Sequence, residues 1–512
     1  MLVKTYTGAV FGILSTTICV EVQVTEGIGY FISGLPDNAV KESQQRIVAA
    51  LMSLGYRWPG RRIVINLAPA DIRKEGSAYD LPLAIGILGA NEQLDPSDLG
   101  KYMLMGELSL DGGLQPVTGV LPMAMKAQKE GFRGVMVPRV NAREAAVVEG
   151  LEVYGMETLK DVIAFFTGEA RPQPVRVDLE AEFRNQSKHF EPDFSDVRGQ
   201  ENVKRALEVA VAGMHNVLMV GSPGAGKTML AQRLPGIMPP LTLLEALETT
   251  RIHSVAGKLG TNATLITRRP FRSPHHTISD IALVGGGSTP KPGEISLAHH
   301  GVLFLDELPE FKRSVLEVMR QPLEDRVINI SRAKFAVQYP ASFMLVASMN
   351  PCLCGFFNHP DKKCSCQAGA VHKYLSRISG PLLDRIDIHI EVVPVSFEKL
   401  ADLPPAEPSS DIRNRILIAR QMQTERFREI QGIYSNAQMT ARLMRRFVRI
   451  DEPGRLILKQ AMERLGLSAR AYDRILKVSR TIADLEESQE IRPHHIAEAV
   501  NYRTLDRDIW GA

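Results

Sequence analysis

The sequence lacks any long hydrophobic run. Its longest apolar pieces are short, such as residues 81–90, whereas a membrane-spanning helix needs about 18 uninterrupted apolar residues. Near the start, Ile18, Val20, Val22 and Val24 alternate with less apolar residues, a pattern that is typical of a β-strand and not of a signal peptide. These features predict a cytoplasmic protein that has no membrane partner.

The sequence also has few cysteines, few aromatic residues and little net charge. Four of the five cysteines crowd into residues 352–366 and do not spread along the chain as a disulfide framework would. The 61 Lys and Arg residues against 58 Asp and Glu leave a net charge of +3, so overall charge gives no argument for nucleic acid or a membrane surface. With 512 residues, 44% of them apolar, the composition predicts a globular chain of about three domains.

Two polar, proline-containing stretches divide the chain and are interpreted as linkers. They lie at residues 171–192 and 396–410. Residues 1–170 mix strand-like and helical patterns, which predicts an α/β or α+β domain. Residues 193–395 are the central part, and residues 411–512 are predicted to be helical.

Local signals place several elements in these parts. Residues 63–67 are predicted to form a strand and residues 38–54 a helix. In the last part, Asp451 is predicted to open a helix that Gly466 closes, and Ser468 to open another. The last part is therefore expected to be a small helical bundle.

A nucleotide-binding motif follows a buried-strand pattern at residues 216–220. The motif fits Gly-x-x-x-x-Gly-Lys-Ser/Thr, and a helical pattern comes after it, which is the context that a P-loop requires. In a P-loop, backbone N–H groups surround the phosphates, the lysine reaches the β and γ phosphates, and the hydroxyl ligates Mg²⁺. We therefore predict a site for ATP with Mg²⁺ at Gly221, Ser222, Pro223, Gly224, Ala225, Gly226, Lys227 and Thr228.

Two further predicted strands end in polar side chains. Residues 301–305 lead into Asp306 and Glu307, and residues 343–349 lead into Asn350. Parallel strands deliver such side chains to the ligand edge of a sheet. Asp306 is predicted to hold Mg²⁺, Glu307 to polarise the attacking water and Asn350 to orient that water. The alternative for Asn350 is an amide that only begins a turn.

The order of these motifs resembles the AAA+ ATPases of the magnesium-chelatase and MCM branch. The likeness continues into residues 379–387 (Ser-Gly-Pro-Leu-Leu-Asp-Arg-Ile-Asp). Within that branch, residues 272–276 (Arg-Ser-Pro-His-His), 293–299 and 350–355 resemble the ComM/YifB family, and the likeness covers essentially the whole chain. The resemblance implies an AAA+ P-loop α/β core with a C-terminal helical lid.

The same resemblance implies a ring, a homo-hexamer. In such a ring Arg385 acts as an arginine finger in a neighbour's site, and Arg470 acts as sensor 2 on the lid. An arginine that reaches across a subunit interface neutralises charge that develops on the γ-phosphoryl group. ATP hydrolysis then requires the assembled ring. The alternative for Arg385 is a local ion pair with Asp384 and Asp387.

The clustered cysteines form two Cys-x-Cys pairs. They supply four thiolates, the number that a closed tetrahedral zinc site takes, and leave no open position for catalysis. A structural Zn²⁺ is predicted, in an insertion at residues 352–366. The alternative is four ordinary reduced thiols. The four candidate ligands are Cys352, Cys354, Cys364 and Cys366.

Two basic features point to DNA. Residues 326–340 are predicted to form a β-hairpin with Arg332 and Lys334 at its tip, and the resemblance to the AAA+ branch implies that this hairpin is a loop in the ring pore. A cationic pore loop can follow DNA phosphates without recognising the bases. Residues 411–480 carry 16 Arg and Lys against 7 Asp and Glu. The alternative for this second feature is a solvated helix surface.

Residues 268–276 form a second candidate pore loop. The stretch is basic and contains one aromatic residue, and it resembles the helix-2 insertion of the same branch. A metal site at His275 and His276 is rejected, on the expectation that adjacent side chains diverge and that no carboxylate stands at ligand spacing.

Two functions compete for this motor. The ComM/YifB resemblance implies an ATP-driven DNA translocase or helicase that promotes branch migration in recombination or natural transformation. The alternative is a remodeller of a partner protein, as the chelatase AAA+ subunits are, that touches no nucleic acid. The basic hairpin favours the first.

The N-terminal part raises a third function, proteolysis. Residues 67–69, 74–77 and 105–113 resemble the Lon protease domain, a fold shared with the second domain of ribosomal protein S5. The resemblance implies an α+β fold.

The Lon-type catalytic dyad is incomplete in this sequence. The equivalent of the serine is Ala78, with Ser77 one residue away, and the equivalent of the lysine is Leu121, with Lys126 too far along the chain. A serine without an activating base is a poor nucleophile. The domain is expected to be an inactive ring scaffold, with a further DNA-facing surface at Arg57, Arg61 and Arg62.

Overall fold

The computed structural model describes residues 1–185, 192–260, 263–287, 290–332, 335–359, 361–394 and 406–503. The chain folds into two units. Residues 1–187 and 242–267 make up the first, and residues 188–241 and 268–512 make up the second. Across the described ranges, no helix is both long enough and apolar enough to cross a membrane.

The N-terminal segment of the first unit contains both strands and helices. Its strands are β1 (Leu2–Phe11), β2 (Leu14–Thr25), β3 (Gly29–Ser33), β4 (Arg62–Ala68), β5 (Tyr102–Leu104), β6 (Glu107–Leu108), β7 (Leu114–Gln115), β8 (Gly134–Pro138) and β9 (Glu152–Met156). Its helices are α1 (Asn38–Ser53), α2 (Asp80–Ala90), α3 (Val120–Lys129), α4 (Ala142–Ala145), α5 (Leu159–Thr167) and α6 (Leu179–Asn185).

The middle of the chain alternates strands with helices. Its strands are β10 (Val217–Gly221), β11 (Phe271–Arg272), β12 (Gly285–Gly286), β13 (Lys291–Pro292), β14 (Val302–Leu305), β15 (Val327–Arg332), β16 (Phe335–Pro340), β17 (Met344–Met349) and β18 (Ile388–Val392). Its helices are α7 (Glu201–Gly213), α8 (Lys227–Ile237), α9 (Leu243–Val255), α10 (Asp280–Val284), α11 (Glu294–Leu297), α12 (Arg313–Glu317), α13 (Arg320–Asp325), α14 (Ala370–Leu375) and α15 (Gly380–Leu383).

The described C-terminal residues are helical, as predicted. Asp451 accepts a hydrogen bond from the Gly454 N–H group at 2.8 Å, and Ser468 accepts one from Ala471 at 3.2 Å. Each of these bonds satisfies an amide that the first turn of a helix leaves free. The helices are α16 (Ser409–Phe427), α17 (Ala441–Phe447), α18 (Glu452–Leu465), α19 (Ala469–Leu485) and α20 (Pro493–Asn501).

A mixed seven-stranded sheet organises the first unit. Its strand order is β3-β4-β2-β1-β5-β8-β9, and β1 pairs antiparallel with β2 along the whole length of β1. Ile18, Val20 and Val22 of β2 are fully buried, because alternate side chains of a strand point to one face of the sheet. The strands predicted in this part and the helix at α1 are confirmed.

Helix α9 belongs to the first unit although it follows the P-loop helix in sequence. It packs against α3, and the Ser254 hydroxyl donates to the buried carboxylate of Glu144. Glu144 also accepts from the Leu121 N–H group at 2.9 Å. The sequence placed this helix inside the continuous range 193–395, because a contact between residues 110 positions apart leaves no local signal.

The segment expected to be the first linker contains α6. Asp178 accepts from the Ala181 N–H group at 3.0 Å, and Glu182 forms an ion pair with Arg143 at 2.7 Å. A cap and a contact with α4 are therefore enough to order a short polar helix within the range 171–192. The second predicted linker, 396–410, is described only from residue 406.

A five-stranded parallel sheet forms the centre of the second unit. Its order is β11-β14-β17-β10-β18, so β17 lies between the P-loop strand β10 and the strand β14. Strands β10, β14 and β17 are buried along their whole length, as is usual when helices cover both faces of a parallel sheet. Their carboxyl ends meet at one edge, which is where ligands bind in such sheets.

Candidate active site

The P-loop lysine lies within hydrogen-bond distance of three oxygens. Lys227 is the first residue of α8, and its Nζ donates to the carbonyls of Gly221 at 2.7 Å and Ser222 at 3.0 Å. It also donates to the Oδ1 of Asn350 at 3.2 Å. Burial lowers the pKa of Lys227 from its ordinary value, and the carboxylates of Asp306 and Glu307 oppose that shift.

Asp306 is fixed by two hydroxyl groups and a backbone amide. The Thr228 hydroxyl donates to its Oδ2 at 2.8 Å, and the Ser348 hydroxyl donates to its Oδ1. The Glu307 N–H group donates to the same Oδ1 at 3.0 Å. The donor set at Thr228 and Asp306 consists of oxygens, which Mg²⁺ prefers. Ser348 was not among the predicted site residues, and its only signal in the sequence is that of a small polar residue near the end of β17.

Glu307 is placed to act on solvent. It follows β14 with a φ of 53°, and 55% of its side chain is exposed. Its Oε2 lies 3.7 Å from the Nδ1 of His276. The expectation that the His275 and His276 side chains diverge is wrong, because their ring centroids are 4.1 Å apart. Glu307 is near His276, but these residues are not among the three-residue metal-ligand clusters found in the described parts of the chain. Strand β11 runs parallel to β14, so the residues after it reach the same edge of the sheet.

Asn350 directs its amide toward the P-loop. Its side-chain oxygen accepts from Lys227, and its backbone lies near the hydroxyl of Tyr374. Burial is the main cause that raises the pKa of Tyr374 to about 12. The geometry therefore brings together four of the predicted site residues, namely Lys227, Thr228, Asp306 and Asn350, with Glu307 beside them.

Arg385 forms a local ion pair, but not with the predicted partners. Its Nη2 lies 2.6 Å from the Oε1 of Glu324, and its Nη1 donates to the carbonyl of Pro381 at 2.6 Å. Only 10% of its side chain is exposed, and its Nε has no hydrogen-bond partner among the described residues. The two neighbouring carboxylates pair elsewhere: Asp384 with Arg470 at 3.1 Å and Asp387 with Arg474 at 3.1 Å.

A buried network joins the segment that carries Arg385 to the residues before β10 and to the C-terminal helix α19. The His215 ring, which is fully buried, contacts Asp387 at 3.0 Å and Thr481 of α19 at 2.8 Å. Burial alone would raise the pKa of Asp387, but Arg474 and His215 hold it well below its ordinary value. Asn216 then donates to the backbone carbonyl of Arg385 at 3.0 Å.

The four clustered cysteines converge as predicted by their spacing. The Sγ of Cys352 lies 3.3 Å from that of Cys354 and 3.7 Å from that of Cys364, and all four Sγ atoms lie within 4.8 Å of one another. Zinc–sulfur bonds of about 2.3 Å in a tetrahedron require sulfurs about 3.8 Å apart. Burial alone would raise the pKa of the Cys354 thiol, but the backbone N–H groups of Phe356 and Ser365 help to hold it below its ordinary value. These sulfur positions fit a tetrahedral Zn²⁺ site, in which Cys366 would be the fourth ligand.

The predicted hairpin is present as β15 and β16. The strands pair antiparallel from Val327 opposite Pro340 to Arg332 opposite Phe335, and they form a two-stranded sheet of their own. Arg332 ends β15, and its side chain lies outside the described residues. Lys334 lies outside them entirely.

The residues that were compared with the Lon-type serine and lysine do not form a dyad among the described residues of the first unit. The Ser77 hydroxyl donates to Glu107, and Lys126 pairs with Glu130 at 2.8 Å. Lys74 is buried and donates to the carbonyl of Pro69. Ala78 and Leu121, which stand at the serine and lysine positions, carry no nucleophile or base. Arg57, Arg61 and Arg62 are exposed.

The fold and the site define a chelatase-type AAA+ protein. Sequence models of the magnesium chelatase subunit ChlI match residues 20–141 and 193–400, and a model of the ChlI C-terminal region matches residues 406–503. A shorter similarity, 29% identity over 124 residues, covers 24% of this chain and 22% of Lon protease 2 from Bacillus subtilis. The predicted fold class is confirmed: a Lon-like N-terminal domain, an AAA+ P-loop core and a helical C-terminal part.

Two relatives match along almost their whole length. The chain is 44% identical to Competence protein ComM from Haemophilus influenzae over 508 residues, which are 98% of this chain and 97% of the relative. It is 42% identical to YifB from Escherichia coli over 511 residues, with the same coverage of both chains. The chain therefore belongs to the ComM/YifB family.

Proposed function

We propose that the protein is an ATP-driven, hexameric DNA translocase that promotes branch migration in recombination or natural transformation. The observation that carries the ATPase part is the meeting of Lys227, Thr228, Asp306, Glu307 and Asn350 at one edge of a parallel sheet. The name of the relative ComM connects the family to competence, and the basic hairpin supports DNA as the substrate.

The roles within the nucleotide site follow from the contacts. The P-loop residues 221–228 would bind the phosphates, and Lys227 would exchange its carbonyl partners for β- and γ-phosphate oxygens. Thr228 and Asp306 would hold Mg²⁺, which neutralises phosphate charge. Asn350 would orient the attacking water.

Glu307 fits the role of general base. It is exposed beside Asp306 rather than held by the hydroxyls that fix Asp306. The carboxylate of Glu307 is therefore available to accept a proton from water.

Ring assembly would complete the site. Arg470 lies near the segment that carries Arg385, because it pairs with Asp384, the residue before Arg385. In a ring, Arg385 would serve a neighbour's nucleotide site and Arg470 would act as sensor 2. To reach a phosphate oxygen of the neighbour, the Arg385 guanidinium would leave Glu324 and the Pro381 carbonyl, and its buried Nε, which has no partner among the described residues, would gain one.

The hairpin would contact the DNA backbone. Among the described residues, strands β15 and β16 pair only with each other. The buried side chains of Ile328 and Tyr339 anchor the hairpin, and the Tyr339 hydroxyl donates to the carbonyl of Pro290 at 2.7 Å. Two cations at its tip, Arg332 and Lys334, would bind phosphates without reading bases.

A double variant tests the hairpin. Arg332→Ala with Lys334→Ala is expected to weaken binding to forked DNA about tenfold and to reduce the salt slope of log K by about 1.5, because two phosphate contacts no longer release counterions. Fluorescence anisotropy over a salt series measures both quantities on several DNA sequences.

The matched control removes two exposed lysines from the first unit. Lys129→Ala with Lys160→Ala loses the same charge from exposed positions. Its affinity and salt slope should stay close to wild type. A hairpin variant that behaves like this control would contradict the DNA contact.

The competing function is remodelling of a partner protein. Its support is the family match to a magnesium chelatase subunit. ATPase assays with single-stranded, double-stranded and forked DNA separate the two functions. Stimulation by DNA supports the translocase, and a rate that no DNA changes supports the remodeller.

The first unit is proposed to be a proteolytically inactive scaffold. Among the described residues no hydrogen bond joins Ser77 to Lys74 or Lys126: Lys74 donates to Pro69, Lys126 pairs with Glu130 and Ser77 donates to Glu107. We expect no cleavage of casein, with or without ATP and DNA. ATP-stimulated cleavage that Ser77→Ala abolishes would contradict this expectation.

A further inference from the structure

The loop that carries the four cysteines packs against the P-loop. We call residues 351–369 the cysteine loop. Gly355 in this loop faces Pro223 of the P-loop so closely that an added Cβ would lie 2.5 Å from the proline Cδ and 2.8 Å from its Cγ. Contacts shorter than 3.0 Å are essentially absent for real Cβ atoms, so only glycine fits here.

The same loop is joined to the P-loop at a second point. It begins directly after Asn350, whose side-chain oxygen accepts from the Nζ of Lys227 at 3.2 Å. Cys352 and Cys354 lie between this hydrogen bond and Gly355. Any shift of these two cysteines therefore moves both contacts with the nucleotide site.

The sulfur cluster joins the two ends of the cysteine loop. The described residues 351–359 and 361–369 form turns and irregular backbone, with no helix or strand among them. The Sγ of Cys364 lies 3.7 Å from Cys352 and 3.5 Å from Cys354, so sulfurs from distant parts of the loop meet. A metal held by four thiolates supplies the energy that orders such a segment.

We propose that Zn²⁺ in the cysteine loop supports the P-loop, so that zinc occupancy and nucleotide affinity are thermodynamically coupled. Gly355 is the positioning residue that transmits the support to Pro223. This inference rests on the proposed function, since it takes both the nucleotide site and the zinc site as given. Coupling of this kind is reciprocal: bound nucleotide must strengthen zinc binding by the factor by which zinc strengthens nucleotide binding.

A pair of glycine variants isolates the contact. Gly355 and Gly369 both have positive φ values, 82° and 76°, but nothing lies within 4 Å of a Cβ built on Gly369. Gly355→Ala is expected to weaken binding of a slowly hydrolysed ATP analogue about tenfold with zinc content unchanged, as coupling energies between linked sites predict. Gly369→Ala bears the same backbone strain and should stay close to wild type in affinity.

A double-mutant cycle shows whether Pro223 is the partner. Pro223→Ala removes the Cγ and Cδ atoms that an alanine at position 355 would meet. In that background Gly355→Ala should cost much less affinity than it does alone, because contacting residues are non-additive. Additive losses would overturn the assigned contact.

Metal removal tests the coupling in both directions. Metal analysis of the full-length protein should find one zinc per chain. Removal of zinc by a chelator should lower affinity for the ATP analogue about tenfold, zinc addition should restore it, and the analogue should slow zinc loss to the chelator. Zinc-free protein with undiminished affinity would overturn the coupling, and protein purified without zinc would overturn the metal assignment.

Failure of the inference is distinguishable from failure of the proposed function. Zinc-loaded wild-type protein that does not bind the ATP analogue would contradict the nucleotide site itself. Wild-type protein that binds the analogue, with Gly355→Ala no weaker than Gly369→Ala, would overturn only the support by the cysteine loop.

Discussion

Glu307→Gln is expected to bind ATP with near wild-type affinity and to lose hydrolysis by at least about 100-fold, which is the scale of general base catalysis. In the structure, the residues that would bind nucleotide differ from the residue that would act in hydrolysis. Phosphate and Mg²⁺ would be held by Lys227, Thr228 and Asp306, which contact one another or Asn350. Glu307 shares none of these side-chain hydrogen bonds and would serve only the attacking water.

Steady-state phosphate release and equilibrium binding of an ATP analogue measure the two properties. Glu310→Gln is the matched control, because Glu310 lies three residues away and its carboxylate pairs with Arg377 at 2.8 Å. It should hydrolyse ATP at close to the wild-type rate. Lys227→Ala should instead lose nucleotide binding. Undiminished turnover by Glu307→Gln would remove Glu307 from the chemistry.

The sequence was sufficient for the parts of the site that depend on local order. A buried strand followed by a glycine-rich loop and a helix has one common arrangement, and β10 and α8 adopt it. Parallel strands also align their carboxyl ends, which is why Asp306 and Asn350 could be expected at one edge. The helix boundaries at Asp451 and Ser468 follow from capping chemistry, which acts within four residues.

Contacts between distant residues were beyond sequence reasoning. The partner of Arg385 is Glu324, 61 positions away, whereas the sequence suggested the adjacent carboxylates. His276 approaches Glu307 only because β11 lies beside β14 in the sheet. The proximity of Gly355 to Pro223 and the packing of α9 with α3 also depend on tertiary structure. Spacing and residue type carry no information on such pairings.

Arg385→Ala is expected to abolish ATP hydrolysis while its own P-loop still binds nucleotide. An arginine finger contributes about 10³-fold to 10⁵-fold to the rate of phosphoryl transfer. The ion pair with Glu324 offers a different explanation, in which Arg385 matters only for local structure. Glu324→Gln separates them: it removes the charge that Arg385 faces, and it should retain hydrolysis if the arginine acts in a neighbouring subunit.

Mixed rings give the decisive measurement. A subunit with Arg385→Ala keeps an intact P-loop but offers no finger, and a subunit with Lys227→Ala offers a finger but binds no nucleotide. In mixed rings, some Arg385→Ala sites will face a Lys227→Ala neighbour that supplies the missing arginine. ATP hydrolysis should therefore return in part when the two inactive proteins are combined, with the mixing of subunits verified independently. Verified mixed rings that remain inactive, together with loss of hydrolysis in Glu324→Gln, would assign Arg385 to the ion pair within its own subunit.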